Sequence, residues 1–173
     1  MQFEILYQEL VHSAEIIHAL AMGVTQAEAQ VEAQIKPDPE SWSILEVLCH
    51  LHDIEREDFR QRLDSILHRP TEEWTIFDPG TWVESREYNK RNFTETLNSF
   101  LEERNKSLAW LKNLSTSNWE SEHTDQYGSI KAGEMFSAWV DHDNLHIRQL
   151  VELRQARIVR LAEPYDVSYA GEW

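Results

Sequence analysis

The sequence predicts an all-α protein built as a four-helix bundle. Apolar residues recur at spacings of three and four in four long segments, which is the pattern of amphipathic helices. The chain has only five glycines in 173 residues, as expected for a fold with many helices and few tight turns. This length fits one domain, which we expect to span residues 1–173.

The first long helix is predicted over about residues 2–22, where the apolar positions share one face. Gly23 follows it and is a typical residue just beyond a helix C-terminus. The next stretch, TQAE, has the form of a capping box that begins at Thr25, which predicts a short additional helix. Two prolines in KPDPE end that segment.

The second long helix, over about residues 43–68, has the clearest start signal in the chain. In WSILEV, Ser43 can cap the helix while the side chain of Glu46 reaches back to it. The apolar stripe continues to the end of LDSILH, where Pro70 stops the helix.

A long connection, residues 69–85, separates the second helix from the third. It contains Trp74, Phe77 and Trp82 and is unusually aromatic. Connections of this length often serve a function, and one expected role for this connection is to cover a pocket and exclude water from it. The rings can equally cover the open end of a bundle, because large aromatic side chains bury much surface wherever they occur.

The remaining long helices are predicted over about residues 85–114 and 132–157. The segment between them, residues 115–129, is polar and is expected to be a loop. No pattern predicts a structure for the tail, residues 158–173.

The bulk composition points to a cytoplasmic protein. With one cysteine, Cys49, the chain forms no internal disulfide, and this fits a reducing compartment. The first residues carry no signal-peptide pattern, and no apolar run approaches the ~20 residues of a membrane span. The formal net charge of −15 repels phosphate backbones, so we expect no nucleic-acid partner and no membrane partner.

The stretch WVDHDNLHIRQL places two histidines, His142 and His146, one turn apart on a helix. At 100° per residue they lie in the middle of the apolar stripe, about 40° apart, and Gln149 borders them. Imidazoles at i and i+4 can reach one metal ion. Two buried neutral histidines, each satisfied by hydrogen bonds, would give the same pattern. The spacing alone leaves both interpretations open.

A third ligand is available in EVLCHLHDIE, where His50 borders the apolar face of its helix. Glu46 or Asp53 could orient this imidazole, complete the coordination or act as a base, and Gln149 could support the histidine pair. Cys49 points elsewhere on the helix and is expected to be a buried structural residue. The other histidines considered are expected at the surface or rim: His12, His18, His68 and His123.

Two other metal motifs fit less well. HDNLH compares with the zinc-protease pattern H-E-x-x-H, but Asp143 is one methylene shorter than glutamate and lies about 100° around the helix from His142. A di-iron bundle needs Glu-x-x-His on two helices, and only ESEH, residues 120–123, matches.

Two motifs together, PDPESWSILEVLCHLHDIEREDF and WVDHDNLHIRQL, resemble the DinB-like superfamily, including its YfiT-like members described as metal-dependent hydrolases. The resemblance implies a four-helix bundle with up-down-down-up order. It also implies a divalent-metal site, with His50, His142 and His146 as ligands, and a homodimer. Gln149 fits the family pattern three residues after the last of these histidines.

The resemblance implies several activities. Zinc or nickel would suit imidazole ligands, and three imidazoles leave a coordination position open for a small molecule. A low-molecular-weight thiol activated there would make the protein similar to thiol S-transferases, and a water would make it a hydrolase. The remaining alternative is a non-enzymatic interaction protein in which the metal only joins two helices.

Overall fold

The four predicted long helices are present in a computed structural model that describes residues 1–22, 28–75 and 78–172. Elements are numbered in chain order: α1 Phe3–Ala21, α2 Ala29–Ala33, α3 Ile44–Ile54, α4 Arg60–His68, α5 Trp82–Ser85, α6 Phe93–Leu111, β1 Glu122–Asp125, β2 Gly128–Lys131 and α7 Ala132–Ala162. Short 3₁₀ turns lie at Pro79–Thr81, Tyr88–Lys90, Lys112–Leu114 and Ser168–Ala170. The predicted helix end at Gly23 and cap at Thr25 lie outside the described residues.

The second long helix has the predicted boundaries, residues 43–68, and the predicted cap. Ser43 Oγ accepts a hydrogen bond from the Glu46 amide at 3.2 Å, and Glu46 Oε2 accepts one from the Ser43 amide at 2.8 Å. This capping box satisfies two amide groups that a helix start otherwise leaves free. The helix is not uniform, because a π-helical turn at Glu55–Phe59 joins α3 to α4.

Contacts along α1 and α7 show that these two helices run parallel. The rings of Phe3 and Phe136 lie 5.4 Å apart, and Ser13, further along α1, donates a hydrogen bond to Asp143, further along α7. A parallel pair joined by two intervening long helices requires a crossover.

The α3–α4 helix runs parallel to α6. Cys49 faces Thr96 with Sγ 3.9 Å from Oγ1, and further along both helices Arg60 donates to Ser107 at 3.1 Å. Against α7 it runs antiparallel, since Phe59 stacks on the ring of Trp139 while the earlier residue His50 reaches the later residue His142. The order is therefore up-down-down-up.

The third long helix begins later than predicted, at Phe93 rather than near residue 85. Asn92 caps it by accepting a hydrogen bond from the Glu95 amide at 2.9 Å. The preceding residues fold separately as α5 and a 3₁₀ turn, and Glu87 between them has a left-handed φ of 50°. The sequence N-x-x-E is a recognisable start signal that the apolar periodicity obscured.

The fourth helix is longer than predicted and runs to Ala162 instead of residue 157. Pro164 ends it, because the residue before a proline is excluded from helical geometry, and Glu163 is extended with ψ of 136°. Val159 and Arg160 in this additional turn line one of the clefts described below.

The connection before α7 was expected to be a loop, but it contains an antiparallel hairpin of β1 and β2. Asp125 pairs with Gly128, which leaves a two-residue turn, and Gly128 takes a φ of 138° that side-chain-bearing residues rarely adopt. The prediction was wrong here because four-residue strands give almost no periodic signal.

The apolar faces of the long helices meet in one core. Its largest fully buried apolar side chains come from all four of them: Leu10, Ile17, Leu45, Leu48, Leu51, Leu63, Ile66, Phe100, Phe136 and Trp139. Among the described residues, no helix is both long enough and apolar enough to cross a membrane.

Candidate metal centre

The three predicted histidines converge between α3 and α7. His50 Nε2 lies 3.4 Å from His142 Nε2, which in turn lies 3.2 Å from His146 Nε2. All three rings offer a ligand atom within 4.8 Å of the others. His50 comes from one helix and the pair from its antiparallel neighbour, so the cluster forms only when α3 and α7 pack together.

The separations fit a divalent cation. Three nitrogens bound to a tetrahedral zinc at its usual Zn–N distance would lie about 3.3 Å apart. The two Nε2–Nε2 distances are 3.4 and 3.2 Å. Within the described residues, no Cys, Asp or Glu joins these histidines in the same group. The described donor set is therefore three imidazoles, which are ligands that divalent metals such as zinc commonly bind.

Burial keeps these imidazoles neutral. Desolvation, with a further contribution from the neighbouring rings, lowers the pKa of His50 to about 3 and that of His142 to about 3. Burial also lowers the pKa of His146, although its hydrogen bond to Gln149 works in the opposite direction. A neutral imidazole has one nitrogen with a lone pair, and this is the form of histidine that binds a metal ion.

Gln149 orients one member of the cluster. His146 Nδ1 donates to Gln149 Oε1 at 2.8 Å, which leaves the lone pair on Nε2, the atom that faces His142. The other two supporting candidates are engaged elsewhere. Glu46 accepts from the Ser43 amide and pairs with Lys36 at 2.9 Å.

Asp53, three residues after His50 on α3, belongs to a separate polar cluster. It accepts hydrogen bonds from Arg86 at 2.6 Å and from the hydroxyl of Tyr88 at 2.8 Å, and it pairs with His52 at 2.9 Å. Burial works to raise the pKa of Asp53, but these partners together hold it well below its ordinary value.

In the described part of the chain, the buried Nδ1 of His50 has no hydrogen-bond partner.

Aromatic rings from two elements enclose the histidines. Trp42 lies parallel to His146 at a centroid distance of 6.2 Å and tilted against His50 at 5.0 Å. Phe59, at the end of the π-helical turn, meets His142 edge-on at 5.0 Å. The π turn adds one residue to the helix and sets the direction in which Phe59 points. Periodicity did not reveal it.

Of the aromatic residues in the connection, the structure describes Trp74 and Trp82, and neither makes a described ring contact with the three histidines. Trp74 donates its indole N–H to Ser65 at 3.1 Å and stacks on His123 at 4.0 Å, near the far end of α4. Trp82 is buried and carries the guanidinium of Arg86 over its ring. Phe77 lies outside the described residues.

A cleft of about 580 Å³ leads from the surface to His146. Trp42 and Pro37 form one wall, and Gln149 and Leu153 on α7 form another. The cluster therefore has an approach for a small molecule on the His146 side.

A buried ionic network, which the sequence analysis missed, ties the four long helices together next to the histidines. Arg104 on α6 donates two hydrogen bonds to Glu55 and two to Asp143, all between 2.7 and 2.9 Å. It also donates to the carbonyl of Leu10 on α1, and Trp139 donates to Glu55 at 3.0 Å. Burial works to lower the pKa of Arg104, but the two carboxylates raise it above its ordinary value.

A signal for this network was present in the sequence. Arg104 falls between Leu97 and Leu108 at the spacing of the apolar stripe, where an unpaired charge would be costly. Asp143 is almost fully buried in this network. It follows His142 directly but points into the bundle, so it is not placed as the glutamate of the zinc-protease pattern is.

His123 was expected at the surface or rim, but it is only 3% exposed. It belongs to β1, donates to the Pro70 carbonyl at 2.9 Å and packs under Trp74. The expectation failed because the hairpin was not recognised. The other three surface histidines are exposed as expected: His12, His18 and His68. Cys49 is buried as predicted, and desolvation raises the pKa of its thiol to about 11.

Comparison with known proteins places these features in context. The model of the DinB superfamily matches residues 9–150, which include all three histidines. YfiT from Bacillus subtilis, a probable metal-dependent hydrolase with an unusual four-helix bundle topology, has a similar structure with a TM-score of 0.75. The alignment covers 89% of this chain and 86% of YfiT, at 18% identity. No curated protein matches the sequence.

Proposed function

The chain belongs to the DinB superfamily, and from this premise we propose that it is a metal-dependent enzyme acting on small molecules. His50, His142 and His146 hold one divalent cation, zinc or nickel, through three neutral imidazoles. The open position takes a small thiol or a water, which attacks a small electrophile. The observation that supports this most directly is the cleft that reaches His146.

The cleft distinguishes an enzyme from a metal that only joins two helices. A purely structural site is closed by a fourth protein ligand. Among the described residues, the group contains three ligands and no fourth, and its His146 side lines a cleft of about 580 Å³. A structural role needs neither feature.

The residues of the chain have separable roles. A bound divalent cation would supply Lewis acidity, which lowers the pKa of a thiol or water and favours the nucleophilic form at neutral pH. Gln149 fixes the tautomer of His146, and Trp42 keeps water from one side of His50 and His146. Glu40 and Glu152 line the cleft and can receive the proton released by the nucleophile.

Two reactions use this arrangement. Transfer of a low-molecular-weight thiol is the first, and its support is the resemblance to family members that use such thiols. Cys49 is buried with a raised pKa, so the thiol in this reaction would come from solution. Hydrolysis is the second, and the similarity to YfiT, a probable metal-dependent hydrolase, supports it.

We further infer that the protein acts as a cytoplasmic homodimer without a nucleic-acid partner. The net charge of −15 disfavours contact with phosphate backbones, and a single buried cysteine suits a reducing compartment. Exposed apolar side chains near the end of α7, at Ile158 and Leu161, are available for a subunit contact.

Metal content and turnover, measured on the same variants, test the proposal. The untagged protein should bind one equivalent of zinc or nickel, and His142→Ala and His146→Ala should each lose it. The loaded protein is then screened for thiol conjugation and for ester, amide and lactone hydrolysis, with His12→Ala, an exposed histidine, as the matched control. Full metal content in both site variants, or activity that survives His146→Ala, would refute it.

A further inference from the structure

A second cleft continues from the first and extends the candidate site along α7. It has a volume of about 450 Å³. The two clefts share four lining residues and adjoin there: Pro37, Leu153, Gln155 and Ala156. Together they form an elongated depression with the histidine cluster at one end, so a molecule bound at the histidines can extend into the second cleft.

Helical spacing sets the length of this depression. His146, Leu153 and Arg160 follow each other at intervals of seven residues on one face of α7, and all three line the clefts. At 1.5 Å per residue, His146 and Arg160 are about 21 Å apart along the helix axis. Arginine side chains on a helix lean towards its N-terminus and shorten this span.

The middle and the far end differ in chemistry. The apolar part of the second cleft's lining comes from Ile35, Ile44, Leu153 and Val159. Further along α7 than Leu153, Arg157 and Arg160 provide two cations, and Glu32 and Glu163 provide two carboxylates. Lys36 also lines this cleft, but it pairs with Glu46 at 2.9 Å.

Arg157 and Arg160 share one carboxylate. Their guanidinium groups donate to the same oxygen of Glu32, at 3.0 and 2.5 Å, and within the described residues they bond to no other acceptor. Glu163 lines the same cleft but forms no ion pair with either arginine in the described part of the chain, so Glu32 alone occupies only a few of their N–H donors. A second carboxylate, supplied by a ligand, complements this pair.

On the basis of the proposed function, we infer the class of substrate. It is an elongated small molecule whose reactive end lies at the histidines, whose apolar stem crosses Leu153, and whose far end carries a carboxylate that binds Arg157 and Arg160. Burial of the stem supplies affinity, and the carboxylate supplies orientation. The reactive end is thereby directed at the open coordination position.

Three hydroxamates test this inference, because a hydroxamate head binds a divalent cation. The zinc-loaded protein is titrated calorimetrically with acetohydroxamate, octanohydroxamate and suberic acid monohydroxamate. The last two share an eight-carbon chain, and only the suberic compound carries a carboxylate at the end opposite the hydroxamate. We expect octanohydroxamate to bind at least tenfold more tightly than acetohydroxamate, and the suberic compound to bind a further three- to tenfold more tightly.

Variants at the far end isolate the role of the arginines. Arg157→Gln with Arg160→Gln should abolish the preference for the suberic compound over octanohydroxamate and leave acetohydroxamate binding unchanged. Arg160→Gln alone should reduce this preference. It should not affect folding, because the Arg160 side chain is 41% exposed. Arg154→Gln is the matched control, because Arg154 is exposed on the same helix and lines neither cleft.

The outcomes separate this inference from the proposed function. If acetohydroxamate binds but neither the stem nor the carboxylate adds affinity, the substrate class is wrong and the open metal position stands. The substrate class is also wrong if Arg154→Gln abolishes the preference for the suberic compound as the double variant does. If no hydroxamate binds to protein with a full equivalent of zinc, the open position is refuted and the inference fails with it.

Discussion

His146 donates its Nδ1 hydrogen to Gln149 Oε1 at 2.8 Å, and this single hydrogen bond decides which nitrogen of the ring faces the other histidines. The two residues are three apart on α7, so one helix provides both His146 and the residue that orients its ring. A ring that is free to flip or change tautomer would present the wrong atom in part of the population.

Gln149→Leu should weaken metal binding about 10- to 100-fold, because the tautomer and orientation of His146 are no longer fixed. Gln149→Glu should preserve or strengthen it, since a carboxylate accepts the same hydrogen bond and makes the ring more basic. Competition with a chromophoric zinc chelator measures both. Equal affinities for the wild type and Gln149→Leu would show that the hydrogen bond does not support binding.

Arg104→Met should destabilise the protein by about 3–5 kcal/mol, because it leaves two buried carboxylates without a counter-charge. Arg148→Met is the control: its side chain is 73% exposed and lies 3.6 Å from Glu152, so the loss should stay below about 1 kcal/mol. Urea denaturation monitored by tryptophan fluorescence compares them. Similar midpoints for the two variants would contradict a stabilising role for the buried network.

The metal-free protein should lose stability as the pH falls from about 6.5 towards 3. Its folded-state pKa values for His50 and His142, about 3, lie below the ordinary value of 6.5, so the unfolded chain binds more protons between these limits. Each histidine contributes up to about 1.4 kcal/mol per pH unit in this window. The stability that depends on these neutral rings is fully present above pH 6.5.

Denaturation of the apoprotein between pH 6.5 and 5 measures that slope. His142→Phe should flatten it, whereas His12→Phe should not, because His12 is exposed to water when folded as well as when unfolded. An unchanged slope in His142→Phe would mean that the ring is not buried in its neutral form.

The homodimer is tested by light scattering at micromolar concentration. We expect twice the 20.4 kDa mass of the chain. Comparing Leu161→Glu with Leu145→Glu tests whether the subunit contact involves the end of α7. Leu145→Glu is the control because the two side chains are both about half exposed. A monomeric mass for the wild-type protein would remove the dimer from the proposal.

The sequence predicted the features that depend on local spacing. The cap formed by Ser43 and Glu46 follows from residues three apart, and the facing pair His142 and His146 follows from residues four apart. The contribution of His50 came from its position on the apolar face of its helix and from the family motif around it. The cap and the histidine pair need only one helix and the rule of 100° per residue.

The features that were missed depend on pairing between distant segments. Arg104 meets its carboxylates on two other helices, and no local rule identifies those partners. The π turn breaks the rule of 100° per residue and so escapes an analysis that assumes it. His123 became a buried residue only through a hairpin that packs it beneath Trp74.

The buried bonds of Asp143 have a consequence for the way a cation is acquired. Adjacent residues on a helix point about 100° apart, so holding Asp143 in the bundle centre also fixes the direction in which His142 points. The entropy lost in orienting His142 is therefore lost on folding, before any ion binds. For the proposed metal site, we expect that exchanging one divalent ion for another leaves the rest of the architecture in place.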